Sequence, residues 1–355
     1  PRTRMQYRCD CGGGLEILYD YAKLRKVVSW KILLERPLNH WRYAEFYPTL
    51  KQCVSLGEGG TPLIRSFKHS KLHFKLEGCN PTGSFKDRGS TIEISHALEF
   101  GHPSIVCATT GNMGASVAAY SARCGLHCEI VLPDDAAGTK IEQIRTYGAT
   151  ISPVRGNYTD AMNLAFVKHT ENKQFLVGDY CFRGEGEKSV GFEIVDQFLL
   201  EHQRAPDYII VPVGNGTLVS GIWKGLKEFK GAGLISRLPK IVGVQATGCN
   251  PIEIAYRTNR AIRPQIPKTM AGAVACGDPL DGVAALRAVH ESGGTLLSFT
   301  DREILSARHD IAQSEGIDVE PSGALPYAAW KKLQLNSKHC VLVLTGNALK
   351  DLENL

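Results

Sequence analysis

The sequence lacks an apolar run of the length that a membrane span requires, about 18 residues. Its first residues, PRTRMQYRCD, lack the hydrophobic segment of a signal peptide. Lysines and arginines are not clustered, and a formal net charge of +5 is small for 355 residues, so the basic surface of a nucleic-acid-binding protein is missing. These absences predict a cytoplasmic protein that binds neither membranes nor nucleic acids. The sequence starts at Pro1 and not at a methionine, so a preceding organelle-targeting leader is kept as an alternative.

The eleven cysteines form neither a disulfide framework nor a recognisable zinc motif. They are odd in number and scattered through apolar contexts such as IVCATT and KHCVLVL, which predicts buried, reduced thiols. Only CDCGG, with Cys9 and Cys11, suggests a metal, but a tetrahedral zinc site usually needs four ligands and no second pair lies nearby. A glycine-rich turn is the favoured interpretation, and we predict no metal.

Short β-branched runs alternate with amphipathic segments of helix length from about residue 103 onward. This alternation predicts an α/β fold with two doubly wound domains and a ligand cleft between them. We expect a larger domain formed by residues 1–90 and 191–355, with 1–40 as an N-terminal extension, and a smaller mobile domain at 91–190. Residues 27–64 are aromatic-rich, and we predict irregular structure there until glycines force a turn.

One lysine lies among residues suited to hold a planar ligand. In NPTGSFKDRGS, Gly83 and Gly89 flank Lys86, and glycines let the backbone approach a ligand closely. A lysine amine in such a place suits covalent chemistry on a carbonyl group. Taken alone, the pattern favours a turn in which Lys86 is solvated beside Asp87 and Arg88.

Two strand-to-helix turns carry the groups of anion-binding sites. CATTGNMG places Thr109, Thr110, Gly111 and Asn112 where backbone N–H groups and hydroxyls can hold a carboxylate; helix capping explains one of these residues but not all. YIIVPVGNGTLVSG places residues 214–217 between an apolar strand and a helix, which is typical of phosphate binding. It matches neither the Walker A pattern nor GxGxxG, so we predict one small phosphate and no nucleotide.

A third turn, VLVLTGNALKD, ends a strand at Thr345 and Gly346. Ligands bind at the carboxyl edge of doubly wound sheets, although a capped turn before a short helix explains this segment equally well. A lysine amine, a phosphate loop, a carboxylate loop and polar groups for a ring together predict pyridoxal 5′-phosphate as the cofactor.

The chain resembles the threonine synthases, in fold type II of the pyridoxal-phosphate enzymes. The resemblance runs from about Trp41 to Asp351 and rests on VSLGEGGTPLI, NPTGSFKDRGS, TTGNMGASVAAYSARCG, RGEGEKSVGFEI, VPVGNGTLVSGIWKGLKE, SEGIDVEPSGA and LTGNALKD. It implies a lyase that eliminates phosphate from the γ-carbon of O-phosphohomoserine and adds water at the β-carbon to give threonine. It also implies a homodimer.

The resemblance assigns a role to each matching position. Lys86 corresponds to the lysine that forms the Schiff base and then moves protons, Asn112 faces the ring hydroxyl, and Thr345 faces the pyridine nitrogen. The other cofactor-binding positions are Phe85, Gly214, Asn215, Gly216, Thr217 and Leu218. The positions expected to hold the amino-acid substrate are Ser84, Thr109, Thr110, Gly111, Met113, Asp179, Arg183 and Lys188.

Several of these positions depart from the family's pattern. GDYCFRGEGEK stands where the family commonly shows NSVNPYRIEGQK, so Asp179 brings a carboxylate beside Arg183 and Lys188, which could clamp a leaving phosphate. Met113 replaces a hydroxyl residue, and Leu218 replaces an asparagine. Either this is ordinary divergence, or the chain is a paralogue that performs β-elimination, β-replacement or dehydration on phosphoserine, serine, threonine or another activated amino acid. A non-catalytic amino-acid sensor is a third hypothesis, which the retained cofactor positions argue against.

Overall fold

The computed structural model describes residues 6–109, 111–134, 138–156 and 158–351. The strands in this part of the chain are β1 (Leu63–Arg65), β2 (Leu72–Leu76), β3 (Ser104–Ala108), β4 (His127–Pro133), β5 (Thr150–Val154), β6 (Phe175–Val177), β7 (Tyr208–Pro212), β8 (Lys240–Ala246), β9 (Thr295–Phe299) and β10 (Cys340–Leu344). The helices are α1 (Tyr21–Val27), α2 (Trp30–Leu34), α3 (Lys86–Glu99), α4 (Asn112–Cys124), α5 (Thr139–Thr146), α6 (Tyr158–Asn172), α7 (Cys181–Glu187), α8 (Ser189–His202), α9 (Thr217–Gly231), α10 (Pro251–Thr258), α11 (Gly282–Ser292), α12 (Asp301–Glu315) and α13 (Pro321–Lys332).

The strands form two sheets. The larger sheet has the order β1-β2-β10-β7-β8-β9, in which β1 is antiparallel to β2 and the other pairs are parallel. The smaller sheet has the order β5-β4-β3-β6 and is parallel throughout. Parallel neighbours bring their carboxyl ends to one edge, so the turns after β7 and β10 lie side by side.

Each sheet is buried on both faces, because its strands carry apolar residues in succession. In β7, Ile209 and Val211 pack with residues of α8, α9 and α11, while Ile210 packs on the other face with residues of α12 and α13. In β3, Ile105 packs towards α4 and Val106 towards α6. The predicted α/β class with two doubly wound parallel sheets is confirmed.

A buried cluster of charges holds α3 against the larger sheet. Arg88 of α3 contacts Glu77 at 2.6 Å and Glu193 of α8 at 2.7 Å, and Lys75 of β2 contacts Glu193 at 2.8 Å. None of these four side chains is exposed. Arg88 is therefore a structural residue, and these ion pairs fix in place the helix that begins at Lys86.

The N-terminal region is more ordered than its composition predicts. Residues 30–34 form the helix α2 rather than irregular chain, and the Ser29 hydroxyl accepts from the N–H of Ile32 at 3.4 Å at its start. A helix of five residues is too short to display a hydrophobic period, which is why the prediction was wrong here. The indole of Trp30 donates to the Leu234 carbonyl at 2.8 Å and attaches this region beyond α9.

All eleven cysteines are unpaired, as predicted, but they are not all buried. Cys9, Cys11, Cys53 and Cys79 are exposed. They lie in turns and short loops outside the strands and α-helices. Such segments run over the protein surface, so their side chains face water even where neighbouring residues in the sequence are apolar. Across the described ranges, no helix is both long enough and apolar enough to span a bilayer.

Candidate active site

A cavity opens at the carboxyl ends of β7 and β10. The described residues that line it come from the turn after each of these strands, the start of α3, the segment before α7 and the starts of α9 and α13. The predicted positions in its wall are Phe85, Lys86, Asp179, Gly214, Asn215, Gly216, Thr217, Leu218 and Thr345. Residues up to 260 positions apart in the sequence thus meet at the sheet edge where ligands bind.

Lys86 is the first residue of α3, and its side chain is 18% exposed. Its Nζ lies 3.8 Å from Oδ1 of Asp179 and 3.6 Å from Oε1 of Glu187. The Phe85 ring centroid is 4.6 Å away. Both carboxylates are close enough to attract the ammonium but too far for a direct hydrogen bond, so the amine is held at the cavity and is free to contact a ligand.

Two carboxyl groups beside Lys86 have opposite pKa shifts. Burial raises the pKa of Asp179, but Lys86 and Arg183 outweigh it and hold that pKa below its ordinary value. Burial raises the pKa of Glu187 to about 7, even though Lys86 and Arg183 lower it. Glu187 is fully buried, and neither of its oxygens has a hydrogen-bond partner in the described structure. Asp179 is thus the ionised partner of the lysine, whereas Glu187 exchanges a proton near neutral pH.

The turn after β7 presents free backbone donors to the cavity. Among the described residues, no protein acceptor contacts the N–H groups of residues 214–217, the last of which begins α9. The Asn215 side-chain oxygen accepts from the N–H of Leu280, and the N–H of Asp281 donates to the Asn215 carbonyl at 3.1 Å. Gly216 has φ +100°, and a Cβ there would lie 2.7 Å from the Asp281 carbonyl oxygen. This fixed loop at the positive end of a helix suits a phosphate group.

One hydroxyl in this loop contacts two carboxyl groups. The Thr217 Oγ1 lies 3.0 Å from Asp179 and 2.7 Å from Asp281. A hydroxyl has one proton and donates to only one of them at a time. Burial raises the pKa of Asp281 to about 6, so Asp281 takes up a proton before Asp179 as the pH falls and can then donate to the Thr217 oxygen. No sequence motif pointed to Asp281, which lies 64 residues beyond Thr217.

Buried polar atoms without partners surround the rest of the site. Asn112 donates from its Nδ2 to Glu320 at 2.9 Å, while its Oδ1 and the Ser84 hydroxyl have no partner in the described structure. Thr345 lines the cavity together with Ser322, a second hydroxyl residue that was not predicted. Buried polar atoms are normally hydrogen-bonded, so these unpaired groups fit a polar ligand that supplies the missing partners.

Among the described residues, the predicted substrate positions around α4 do not line this cavity. The Thr109 hydroxyl accepts from the N–H of Gly111 at 3.1 Å and so shapes its own loop. A Cβ on Gly111 would meet no atom within 4 Å, which leaves open space above the loop. Met113 is 6% exposed and packs in the core of the smaller sheet. Thr110 lies outside the described residues.

Arg183 and Lys188 do not line the cavity in the part of the chain described. Arg183 is fully buried between Glu93 and Glu187. Lys188 is also fully buried and pairs with Glu185 at 2.5 Å and Glu228 at 2.9 Å. Their positive charges are already compensated, so the structure does not bring them to a leaving phosphate, and their role in substrate binding stays a prediction.

The residues present fit pyridoxal phosphate on the evidence of this geometry. A lysine amine, a loop of unpaired N–H groups and three hydroxyl residues share one cavity, and an unpaired amide oxygen lies at the start of α4. For Cys9 and Cys11 the outcome differs: among the described residues, no group of three or more metal-ligating side chains includes either of them.

Comparison with known proteins agrees with this assignment. A family model described as pyridoxal-phosphate dependent enzyme matches residues 54–346. The chain is 42% identical to the threonine synthase of Methanocaldococcus jannaschii, over 97% of this chain and 89% of that protein. It is 40% identical to that of Methanosarcina acetivorans, over 99% and 89%, and 38% identical to that of Mycobacterium tuberculosis, over 84% of each.

Solved structures resemble this one in fold. The processed form of threonine deaminase isoform 2 from Solanum lycopersicum superposes with a TM-score of 0.71 at 18% identity, covering 96% of this chain and 94% of that one. Maize serine racemase superposes with a TM-score of 0.70 at 22% identity, covering 81% and 88%. At this level of identity the likeness supports the fold and says nothing about the substrate.

Proposed function

This chain belongs to the family of pyridoxal-phosphate dependent enzymes, and we propose that it is a threonine synthase that converts O-phosphohomoserine and water to threonine and phosphate. The observation that carries the proposal is the meeting of the Lys86 amine with the unpaired N–H groups of residues 214–217 in one cavity. The choice of reaction rests on similarity to threonine synthases that are 37–42% identical over most of the chain.

When bound, pyridoxal phosphate supplies an aldehyde that takes up an amino group and a ring that withdraws electrons from the neighbouring carbon. In our proposal the N–H groups of residues 214–217 would hold its phosphate, and the Lys86 amine would hold its aldehyde group. The Lys86 Nζ, which lies 3.6–3.8 Å from two carboxyl groups, would act as the base towards the substrate. It can then take a proton from one substrate carbon and return it to the next.

Asp179 does not have to repel the substrate in this proposal. Its carboxylate is already engaged, because it lies 3.8 Å from the Lys86 ammonium and accepts from the Thr217 hydroxyl at 3.0 Å. Its negative charge therefore offsets the lysine in the free enzyme.

The paralogue hypothesis is not favoured. The relatives that cover most of the chain at 37–42% identity are threonine synthases, whereas the matching racemase and deaminase structures are only 18–24% identical. We further propose a cytoplasmic homodimer, in which residues 91–190 close over the larger unit of residues 1–90 and 191–355. Comparing the order of the loop Asp134 to Lys140 with and without ligand would test this closure; residues 135–137 of that loop lie outside the described residues.

A phosphate-release assay tests this function. The holoenzyme is given O-phosphohomoserine and O-phosphoserine side by side, and the organic product is identified by mass. We expect threonine from the first substrate only, no product from Lys86→Ala, and full activity in Lys338→Ala, which changes an exposed lysine just before the amino end of β10, the end of that strand opposite the cavity. Turnover of O-phosphoserine without any threonine would overturn the proposal in favour of the paralogue.

A further inference from the structure

A cluster of metal-ligating side chains lies at the other edge of the larger sheet. His73 is the second residue of β2, and Glu201 and His202 are the last two residues of α8. The amino ends of β2 and β10 are aligned, with Leu72 opposite Cys340, so this edge is opposite the one that carries the cavity. In the described part of the chain, this is the one group of three or more such side chains whose ligand atoms all lie within 4.8 Å of one another.

The distances within the cluster are those of a metal site. The two histidine Nε2 atoms are 3.3 Å apart. The Glu201 carboxylate faces both rings, with one oxygen 3.7 Å from the His73 Nε2 and the other 3.6 Å from the His202 Nε2. In a tetrahedral zinc site with bonds of about 2.0–2.1 Å, neighbouring ligand atoms are roughly 3.3 Å apart.

We propose that His73, Glu201 and His202 form a binding site for a divalent transition-metal ion such as zinc. Two imidazoles and one carboxylate are a recognised zinc ligand set, and such a set leaves one coordination position open for water. Glu201 is half-exposed, so its side chain is free to move the few tenths of an ångström that coordination requires.

The protonation of His73 favours binding. Burial lowers the pKa of His73 to about 4, although Glu201 raises it, so this imidazole is neutral at physiological pH and needs to lose no proton to a metal. Two groups oppose an ion: the Arg65 guanidinium, 3.6 Å from Glu201, and the His339 ring, whose centroid is 4.7 Å from that of His202. His339 opposes a bound cation less than Arg65 does, because burial lowers the pKa of His339 as well.

A simpler explanation of the 3.3 Å contact is one N–H···N hydrogen bond between two neutral rings. That explanation gives no role to Glu201, whereas metal binding requires its carboxylate. The two explanations therefore differ in what a change of Glu201 to glutamine does. A bound ion would connect the first parallel strand of the sheet to the end of α8, and it would act on stability and leave the reaction at the opposite edge unchanged.

Zinc binding to the chelator-treated holoenzyme tests the site by isothermal titration calorimetry. We expect one zinc ion per chain, with the affinity weakened at least about tenfold by Glu201→Gln and about 100-fold by His202→Gln. The matched control His309→Gln changes an exposed histidine of α12 and should bind like the unchanged protein. Cys9→Ser/Cys11→Ser is the second control, because exposed thiols also bind zinc.

Zinc should also raise the melting temperature of the unchanged protein and of both controls, without a change in the rate of phosphate release. The proposal is overturned if the chain binds no zinc below millimolar concentration, if His202→Gln binds it as well as the unchanged protein does, or if binding disappears in the cysteine variant. An affinity that is unaffected by Glu201→Gln would leave only the hydrogen-bonded histidine pair and would equally overturn it.

Discussion

Replacing Glu187 with glutamine should stabilise the folded chain at neutral and alkaline pH while impairing its activity. The carboxyl group is fully buried, and in the described structure neither oxygen has a hydrogen-bond partner. Burial raises its pKa from 4.5 to about 7, against the lowering effect of Lys86 and Arg183. Ionisation of Glu187 therefore opposes folding, and a buried acid with a raised pKa beside the lysine of the proposed mechanism is suited to a functional role.

The size and sign of the effect follow from linkage between protonation and folding. A pKa that rises from 4.5 to about 7 corresponds to roughly 3 kcal/mol, at about 1.4 kcal/mol per pKa unit. Well below pH 4.5 the group is neutral in the folded and unfolded chains, and it costs nothing. Between these two pKa values only the unfolded chain releases the proton, so stability falls as the pH rises, and above pH 7 the full penalty is present. Glutamine removes this penalty.

Glu185→Gln is the matched control, because Glu185 is buried in the same helix but is fully paired. Its carboxylate contacts Lys188 at 2.5 Å and also Lys224. Burial raises the pKa of Glu185, but these two ammonium groups outweigh it and hold that pKa below its ordinary value. Removing one partner of a buried ion pair costs about 3–5 kcal/mol, so this variant should lose stability above pH 4.5.

The assay is urea unfolding of the cofactor-free chains at pH 5, 6, 7 and 8, with phosphate release by the holoenzymes measured in parallel. We expect Glu187→Gln to gain stability relative to the unchanged protein as the pH rises, and Glu185→Gln to lose it at every one of these pH values. A stability difference for Glu187→Gln that does not vary with pH, or that has the same sign as the control, would refute the reasoning.

Three further substitutions test the loop and the core. Gly216→Ala should weaken cofactor binding at least about tenfold, since a loss of about 1.4 kcal/mol in binding free energy is enough for a tenfold weaker affinity. The control Gly233→Ala changes a glycine that also has a positive φ, +80°, but has open space around it, so binding should stay unchanged. Absorbance titration with pyridoxal phosphate measures both affinities. Thr217→Val removes the hydroxyl shared by two carboxyl groups, so the same titration should show an affinity loss of about 1–3 kcal/mol that Thr217→Ser restores. Glu193→Gln removes the carboxylate shared by the buried cations Lys75 and Arg88, and it should lower the free energy of unfolding by about 3–5 kcal/mol. Urea unfolding measures this change, and an unchanged unfolding midpoint would contradict the structural role of this cluster.

The parts of the site that could be predicted from the sequence are those whose chemistry lies in one contiguous segment. The turn after β7 carries its glycines, its threonine and the start of α9 together, so its function could be inferred before any distance was known. The local pattern around Lys86 did not suffice, and its role was predicted only from the combined motifs and the family resemblance, whereas the alternation of strands and helices predicted both sheets. Short sequence patterns predict backbone conformation, and the turn and the sheets depend mainly on backbone conformation, so a local pattern was enough to predict them.

The parts that were missed are brought to the site by folding alone. Glu187 stands in a matched segment, but nothing in RGEGEK shows that its carboxyl group is buried without hydrogen bonds. Asp281 reaches Thr217, and Glu320 reaches Asn112, from 64 and 208 residues away. The ion pairs that enclose Arg183 were equally invisible, because each partner is an ordinary surface residue type until the core closes around it.

The departures from the family's pattern at the substrate positions are therefore weaker evidence for a changed substrate than the sequence alone suggests. The argument for a changed substrate counted Asp179 as a free negative charge beside two free positive charges. In the structure Asp179 is paired with Lys86, and Arg183 is enclosed by Glu93 and Glu187, so none of these charges is free. Burial raises the pKa values of Glu187 and Asp281, the acids near the loop of residues 214–217. These two carboxyl groups can therefore take up protons when a second anion binds beside the cofactor phosphate, which neutral side chains at these positions could not do.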